Sequence, residues 1–357
     1  MFKRIVVPLD SSPRAERALP VAVRLARASG GSLVLLQVVL PPIEYAMYLT
    51  QFPVLTEPDI EESLAQAIAY LTRVAQSDEL EGLDVRIEAL SAAPVSTLFE
   101  YAQSCQADLI VMCSHGYSGF KRWALGSVAD SVTRHAPVPV LVLRDGGSLL
   151  TPSPSASERP LRVLVPLDGS ALAETALEPA AQLVAALSPP GQGALHLVRV
   201  VDIPGRYGAG KSQANIGIEM VEQAEQKAQA YLVSVVDQLQ TGIAARLHLS
   251  MSASVIADTD VAGAILKEGA SVEDDRGYSL IALSTHGRSG LERWAMGSIT
   301  ERVLHGTRLP LLIVRPRTTA TKKETTEAEA VETAKSGGTG LGGVTLTRSE
   351  SCCYGYD

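Results

Sequence analysis

Short apolar runs alternate along the chain with longer segments in which apolar residues recur at helical spacing. The runs are rich in β-branched residues and too short for helices, which is typical of buried strands in a parallel sheet. In the first half they predict strands at 4–9, 33–40, 84–90, 108–112 and 138–144. The segments between them predict helices at 12–29, 60–78, 94–105 and 127–135. This alternation favours parallel strands joined by right-handed crossovers.

The second half repeats the pattern of the first. Residues 162–168, Arg-Val-Leu-Val-Pro-Leu-Asp, restate residues 4–10, Arg-Ile-Val-Val-Pro-Leu-Asp. Further strands are predicted at 194–201, 246–251, 280–283 and 309–315, and helices at 218–239 and 260–269. Pro20 falls inside the first predicted helix and predicts a kink there. A repeat of about 160 residues indicates two tandem domains of ordinary size rather than a solenoid.

Composition places the boundaries of these units. We predict α/β domains at residues 1–145 and 161–316. The segment 146–160 is rich in Ser and Pro, which is typical of a linker. From residue 317 to 357 apolar periodicity ends and Thr, Glu, Lys and Gly dominate, which predicts a disordered tail.

One sequence stretch occurs twice, each time between a predicted strand and a predicted helix. Its copies are Cys113-Ser-His-Gly116 with Gly126-Ser127-Val128, and Ser284-Thr-His-Gly287 with Gly297-Ser298-Ile299. Glycine after a strand lets the backbone approach a ligand, and Gly-Ser at a helix start offers N–H groups and a hydroxyl to an anion. The pattern therefore predicts a phosphate site in each half. The alternative is that the glycines only make turns and the serines are plain N-caps.

Asp10 and Asp168 follow the first strand of each half, at the sheet edge where open α/β sheets bind ligands. Either carboxylate can accept a hydrogen bond from an adenine amine or a ribose hydroxyl, or can cap the next helix. His115 and His286 precede the loop glycine. No other ligand-type side chain lies at metal spacing beside them, so we interpret both as loop anchors.

A second phosphate motif competes with the repeated one. The residues Gly205-Arg-Tyr-Gly-Ala-Gly210-Lys211-Ser212 match a P-loop and lie between a strand and a helix. The apolar stripe of that helix begins only near Ile218, and no predicted strand ends in an acidic residue placed to hold Mg²⁺. We therefore favour a glycine-rich mobile loop here.

Charge and composition exclude several functional classes. The net charge of −8 without a basic cluster argues against a nucleic-acid partner. No run of about eighteen apolar residues predicts a membrane span. The chain does not start like a signal peptide, and its 4 cysteines form no disulfide framework. We therefore expect a cytoplasmic protein.

These features resemble the universal stress protein family in its tandem two-domain form. The repeated stretch is similar to the Gly-x2-Gly-x9-Gly-Ser signature of its ATP-binding branch, although Cys113 and Ser284 replace the first glycine. The resemblance implies two Rossmann-like (HUP-type) units, each a five-stranded parallel sheet flanked by helices. It also implies pairing of units through their last strands, inside the chain as a pseudo-dimer or between chains as a homodimer.

The resemblance further implies a stress-response protein that binds ATP or AMP, with Mg²⁺ accompanying ATP and at most slow hydrolysis. The adenine and ribose end would be lined by Pro8, Asp10, Val38, Pro166, Asp168 and Val200. The pocket wall would be formed by Met112, Cys113, Leu283 and Ser284. The phosphates would be held by Gly116, Gly126, Ser127, Val128, Gly287, Gly297, Ser298 and Ile299. Two alternatives stay open: a scaffold that binds no nucleotide, and a P-loop NTPase that uses Lys211.

Overall fold

The computed structural model describes residues 2–40, 57–114, 125–144, 149, 161–203, 211–271, 277–287 and 296–316. The elements of the first half are β1 (Arg4–Pro8), α1 (Pro13–Glu16), α2 (Leu19–Ser29), β2 (Ser32–Val39), α3 (Glu57–Ala75), β3 (Asp84–Ser91), α4 (Pro94–Ser104), β4 (Leu109–Cys113), α5 (Ser127–His135) and β5 (Val140–Leu143). The predicted linker and the predicted tail, apart from residue 149, lie outside the described residues.

The second half follows the same order with one additional short helix, α9. Its elements are β6 (Arg162–Pro166), α6 (Ala171–Glu174), α7 (Leu177–Leu187), β7 (Ala194–Asp202), α8 (Lys211–Thr241), α9 (Ile243–Leu247), β8 (Ser250–Asp258), α10 (Val261–Ala270), β9 (Leu280–Ser284), α11 (Ser298–Gly306) and β10 (Leu311–Val314).

The strands of the described residues form one 10-stranded sheet, in the order β3-β2-β1-β4-β5-β10-β9-β6-β7-β8. Neighbours within each half are parallel, and β5 and β10 pair antiparallel, with Leu141 opposite Leu312 and Val142 opposite Leu311. The two units therefore pair through their last strands inside the chain. Strand order reverses beside β1 and beside β6, and open α/β sheets bind ligands at the carboxyl ends of the strands at such switch points.

Successive strand residues face opposite sides of the sheet, so each half buries apolar side chains on both faces. On one face a single cluster crosses the seam between the halves and includes Ile5, Leu141, Leu183 and Leu312. There α2 contacts α7. On the other face each half has its own cluster, covered by α4 and α5 or by α10 and α11. Residues 1–316 therefore form one compact unit.

On that second face α5 and α11 are also joined by ion pairs. Arg134 on α5 bonds Glu301 on α11 at 2.8 Å and Asp130 on its own helix at 2.9 Å. His305 on α11 lies 3.5 Å from Asp130. The helices that begin at the two repeated motifs are thus in direct contact.

The structure corrects the prediction of a kinked first helix. The segment is divided into α1 and α2, and Pro20 lies in the first turn of α2. Proline is favoured in a first turn because the N–H it lacks would have no partner inside the helix.

The predicted helix at 218–239 begins earlier, since α8 runs from Lys211 to Thr241. A helix that is already nucleated extends through residues with no apolar stripe, because each added residue gains one hydrogen bond. The predicted strand at 246–251 is wrong over most of its length. The helix α9 ends at Leu247 with His248 in the left-handed region (φ 55°), and β8 begins only at Ser250.

His196 on β7 is a buried polar side chain. Its Nδ1 lies 2.8 Å from Ser252 Oγ and its Nε2 lies 2.9 Å from Ser254 Oγ, both on β8. Arg162 Nη2 lies 3.4 Å from Nδ1, and Glu268 Oε1 lies 4.0 Å from Nε2. Burial, and next the charge of Arg162, lower the pKa of His196 from its usual 6.5, against an opposing contribution from Glu268.

We expect the free energy of unfolding to fall as the pH drops below about 6.5, because the unfolded chain takes up a proton that folded His196 resists. His196→Gln should flatten this dependence by up to about 1.4 kcal/mol per pH unit. Urea unfolding between about pH 7.5 and 5.0 measures the slope. The exposed His135→Gln serves as the control, and an unchanged slope in His196→Gln would contradict the expectation.

Candidate functional site

The turn after β1 is organised by Asp10. Its Oδ1 accepts from the Ser12 backbone N–H at 3.1 Å and from the Ser12 hydroxyl at 2.6 Å. Ser12 Oγ in turn accepts from the Ala15 N–H at 3.2 Å and so caps α1. Asp10 is therefore not the N-cap of α1. It orients Ser12, which is the N-cap.

The second half builds the same turn after β6. Asp168 Oδ1 accepts from the Ser170 N–H at 2.9 Å and from its hydroxyl at 2.6 Å. The residue between them is left-handed in both halves, with φ 64° at Ser11 and 84° at Gly169. Glycine adopts this conformation at little cost, whereas serine is strained in it.

We expect Gly169→Ala to lower the free energy of unfolding by about 1–2 kcal/mol, the cost of a left-handed alanine. The new Cβ would also lie 2.9 Å from Arg199 Nη1, which has to move away. Urea denaturation of the variant measures the loss. Ser11→Gly is the matched change in the first half, and it should cause no loss of stability from backbone strain. Equal stability of Gly169→Ala and wild type would contradict this interpretation.

The repeated motif ends at the start of a helix in both halves. Gly126 is the N-cap of α5 and donates its N–H to Ser114 O at 2.8 Å. Gly297 is the N-cap of α11 and donates to Thr285 O at 2.8 Å. The N-cap interpretation of Ser127 is therefore wrong, and that of Ser298 likewise, because each is the first residue inside its helix. A glycine cap has no side chain to accept from the first backbone N–H groups, which leaves them available to an anion.

The two glycines of the second motif differ in how much room the fold leaves for a side chain. A Cβ on Gly287 would overlap Asp168 Oδ2, so a larger residue here would push that carboxylate aside. Gly297 has φ −61° and ψ 141°, which any residue adopts. A Cβ there would meet only Thr285 O, at 3.4 Å. The fold makes no strong demand for glycine at this position.

A cavity of about 270 Å³ lies at the switch point of the first half. Every predicted site residue of this half that the structure describes lines it: Pro8, Asp10, Val38, Met112, Cys113, Gly126, Ser127 and Val128. Gly116 lies outside the described residues. The lining residues that the sequence did not indicate are Leu9, Ala15, Leu36, Leu40, Pro94, Leu98 and Ala129.

A cavity of about 130 Å³ lies at the corresponding place in the second half. It is lined by all nine residues predicted there: Pro166, Asp168, Val200, Leu283, Ser284, Gly287, Gly297, Ser298 and Ile299. The additional lining residues are Leu167, Ala173, Val198, Val261, Ile265, His286 and Thr300.

Each cavity combines apolar walls with a polar end. The apolar walls of the first cavity include Val38, Leu36 and Leu98, and those of the second include Val200, Val198 and Ile265. The polar end contains the start of α5 or α11 with its serine, and the carboxylate of Asp10 or Asp168. Such a cavity suits a flat, largely apolar group that carries an anion.

His286 is a cavity residue whose role the sequence indicated only in part. Its Nδ1 lies 2.8 Å from the Thr285 hydroxyl, as expected of a loop anchor. Its Nε2 is buried and has no hydrogen-bond partner among the described residues. His115, the corresponding residue of the first half, lies outside the described residues.

The described residues contain no group of three or more His, Cys, Asp or Glu side chains placed to hold a metal ion. No helix among them is long and apolar enough to cross a membrane. Cys105 and Cys113 are half-buried and form no disulfide, and Cys113 lies on the wall of the first cavity.

Comparison with known proteins gives matches along both halves. The model of the Universal stress protein family matches residues 1–144 and 161–315. A universal stress protein of Mycobacterium tuberculosis is 26% identical over 283 residues, which cover 77% of this chain and 82% of that protein. A universal stress protein of Thermus aquaticus is 33% identical over 147 residues, which cover 40% of this chain and 100% of that protein.

Solved structures share the fold. The crystal structure of a universal stress protein from Archaeoglobus fulgidus has 21% identity and a TM-score of 0.54, and the match covers 88% of this chain and 97% of that one. A putative universal stress protein from Pseudomonas aeruginosa has 16% identity and a TM-score of 0.56, with 93% and 98% covered. The predicted fold class, α/β with Rossmann-like units, is confirmed.

Proposed function

The chain belongs to the universal stress protein family in its tandem form, and from that premise we propose that each half binds an adenine nucleotide, ATP or AMP, in its switch-point cavity. The observation that carries the proposal is the meeting of three features in each cavity. An apolar wall, a carboxylate after the first strand and a glycine-capped helix start all lie around one space. These features suit a base, a ribose and a phosphate group respectively.

The orientation of the nucleotide follows from the chemistry of the walls. The adenine ring would pack against the apolar side chains near Val38 or Val200. The carboxylate of Asp10 or Asp168 lines its cavity and would accept a hydrogen bond from a ribose hydroxyl, as an ionised carboxylate can. The phosphate oxygens would accept hydrogen bonds from the first backbone N–H groups of α5 or α11, where the helix dipole also favours negative charge.

Binding of this kind needs no catalytic group. Hydrogen bonds from backbone N–H groups to a bound phosphate stabilise the ground state and do not by themselves activate a water molecule. We therefore propose a nucleotide-responsive stress protein with at most slow hydrolysis. Mg²⁺ would accompany ATP mainly through phosphate oxygens, which are the ligands it prefers.

The two cavities differ in volume, about 270 Å³ against about 130 Å³. A smaller cavity has to widen before it admits the same ligand, which costs binding free energy. The first half would therefore bind ATP more tightly than the second.

Equilibrium dialysis with labelled ATP tests the proposal by counting sites. The expected result is two sites per chain with unequal affinities. Nucleotide released when freshly purified protein is denatured would further argue against the nucleotide-free scaffold. Absence of saturable binding of both ATP and AMP would support the scaffold instead.

Two observations on the second half favour the P-loop alternative. The helix α8 begins at Lys211, so the motif does precede a helix start directly. The neighbouring strand β8 also ends in an acidic residue, Asp258, contrary to expectation. Residues 205–210 lie outside the described residues. A P-loop site predicts that Lys211→Ala abolishes ATP binding and turnover, whereas the cavity proposal predicts that it changes neither site.

A further inference from the structure

We propose that the free edge of β8 pairs antiparallel with β8 of a second copy of this chain, so that two chains share one continuous sheet. This inference goes beyond the proposed function and does not depend on a nucleotide. In the observed strand order β5 and β10 each have a neighbour on both sides, so a second chain finds no free edge on the last strands. Among the strands that the structure describes, β3 and β8 end the sheet, and each is paired on one side only, with β2 and β7 respectively.

The outer edge of β8 carries backbone groups that the described part of the sheet does not use. The Ser250 N–H donates to Gly193 O at 2.9 Å, and the Ile203 N–H donates to Asp258 O at 3.2 Å. Even-numbered residues of β8 therefore bond towards β7, and the direction alternates along a parallel ladder. The odd-numbered residues point their N–H and C=O groups away from the sheet: Met251, Ala253, Val255 and Ala257. Such a row of donors and acceptors is a template for another strand.

The sequence of β8 lacks the features that usually protect an edge strand. Native edges carry charged residues or proline, or they are short or bulged. Residues 250–257 contain neither a charge nor a proline, and β8 pairs with β7 over 9 residues without interruption. By contrast β3, the other edge, carries Asp84, Arg86 and Glu88. The two edges of the sheet thus differ, and that of β8 suits the addition of a strand.

A second copy fits this edge because β8 is complementary to itself. An antiparallel pair centred on Ser254 sets Ala253 opposite Val255, so every outward residue meets an outward residue. Asp258, the charged residue at the end of the strand, then lies opposite Ser250 and not opposite a like charge. A contact that uses the same surface on both copies closes as a twofold dimer.

Both faces of β8 are fixed within its own chain. Met251, Ala253 and Val255 pack on the apolar cluster that crosses the seam, on the side of α8. On the other side, the hydroxyls of Ser252 and Ser254 lie 2.8 and 2.9 Å from the two ring nitrogens of His196. A strand held in this way loses little conformational freedom when it pairs, so less of the interaction free energy is spent on ordering it.

Sedimentation velocity of the purified full chain tests the proposal. One added strand pair buries less area than a standard interface, so we expect a monomer–dimer equilibrium with a dissociation constant on the order of 10 µM. Ala253→Pro removes an outward N–H and should weaken dimerisation at least about tenfold. Proline is tolerated at this position because the N–H that it removes does not bond to β7.

Ala89→Pro on β3 is the matched control. The Ala92 N–H donates to Val39 O at 3.1 Å, so the N–H of Ala89 points outward from that edge as well. This variant should dimerise as the wild type does. A dimer that Ala89→Pro disrupts and Ala253→Pro preserves would overturn the proposal.

Opposite charges at Ser254 test whether the partner is a second copy, and they do so even if Ala253→Pro fails to fold. Ser254 would face its own equivalent across the twofold axis, where like charges directly opposite are destabilising. Ser254→Asp and Ser254→Lys should therefore each lose the dimer, and an equal mixture of the two should regain it. Urea unfolding shows that each variant is folded.

A wild type that stays monomeric at about 100 µM would overturn the proposal, because even a weak specific interface associates at that concentration. A dimer that persists in both charged variants, or a mixture of them that stays monomeric, would overturn it as well. None of the substituted residues lines either cavity, so ATP binding should be unchanged in every variant. The dimer and the nucleotide sites can therefore fail independently.

Discussion

Replacing both N-cap glycines by aspartate, Gly126→Asp with Gly297→Asp, is expected to weaken ATP binding strongly at both sites without harming the fold. Both glycines have backbone angles that suit an N-cap of any type, φ −64° and ψ 152° at Gly126 and φ −61° and ψ 141° at Gly297. Aspartate is a favoured N-cap, so its carboxylate would accept from the same N–H groups that we assign to the phosphate. It would also place a negative charge at the phosphate position. Each site should lose affinity on the order of 100-fold, about 2.7 kcal/mol.

Titration of ATP into the wild type, both single variants and the double variant measures this loss. Each single variant should retain one site of wild-type affinity, and the double variant should retain no such site. Val233→Asp adds the same charge at an exposed position of α8 and should bind ATP as the wild type does. Unfolding free energies should stay equal or rise slightly, because an aspartate cap stabilises a helix. Undiminished binding by the folded double variant would contradict the assignment.

Leu312→Ala is expected to destabilise both halves together. Leu312 on β10 and its partner Leu141 on β5 are fully buried at the antiparallel seam. Loss of a buried leucine side chain costs about 2–5 kcal/mol, because the transfer free energy is lost and a cavity remains. The apolar cluster crosses this seam and belongs to both halves, so we expect the two halves to unfold as one cooperative unit, in one transition.

Urea unfolding followed by circular dichroism measures both the loss and the number of transitions. Leu141→Ala should cost a similar amount from the other side of the seam. Val233→Ala, on an exposed face, should stay within about 0.5 kcal/mol of wild type. Two separate transitions in the wild type, with Leu312→Ala shifting only one of them, would contradict the shared core.

Local signals predicted the site better than long-range ones. The helix predicted at 127–135 is observed as α5, because the Gly-Ser start and the strand before it are features of neighbouring residues. The same holds for β1, β6 and the aspartates that follow them. The family resemblance implied the full set of site residues, of which eight described residues line the first cavity and nine line the second.

Features that depend on packing were harder to predict. Pro94 and Leu98 line the first cavity from α4, yet an apolar helix face looks the same whether it covers a core or a ligand site. The start of β8 was missed because α9 ends only through the left-handed His248, which no periodicity indicates. The two roles of the His286 ring nitrogens required coordinates, because the sequence shows a histidine but not which nitrogen has a partner.

Photoaffinity labelling with 2-azido-ATP tests the central claim most directly, because it reports where the nucleotide is bound. The labelled protein is digested and the modified residues are found by mass spectrometry, with excess ATP as the competitor. The account predicts adducts on cavity residues of both halves, such as Val38 and Val200, that disappear with competitor and in the double aspartate variant. Competed adducts confined to residues 205–212, or no competed adduct at all, would contradict it.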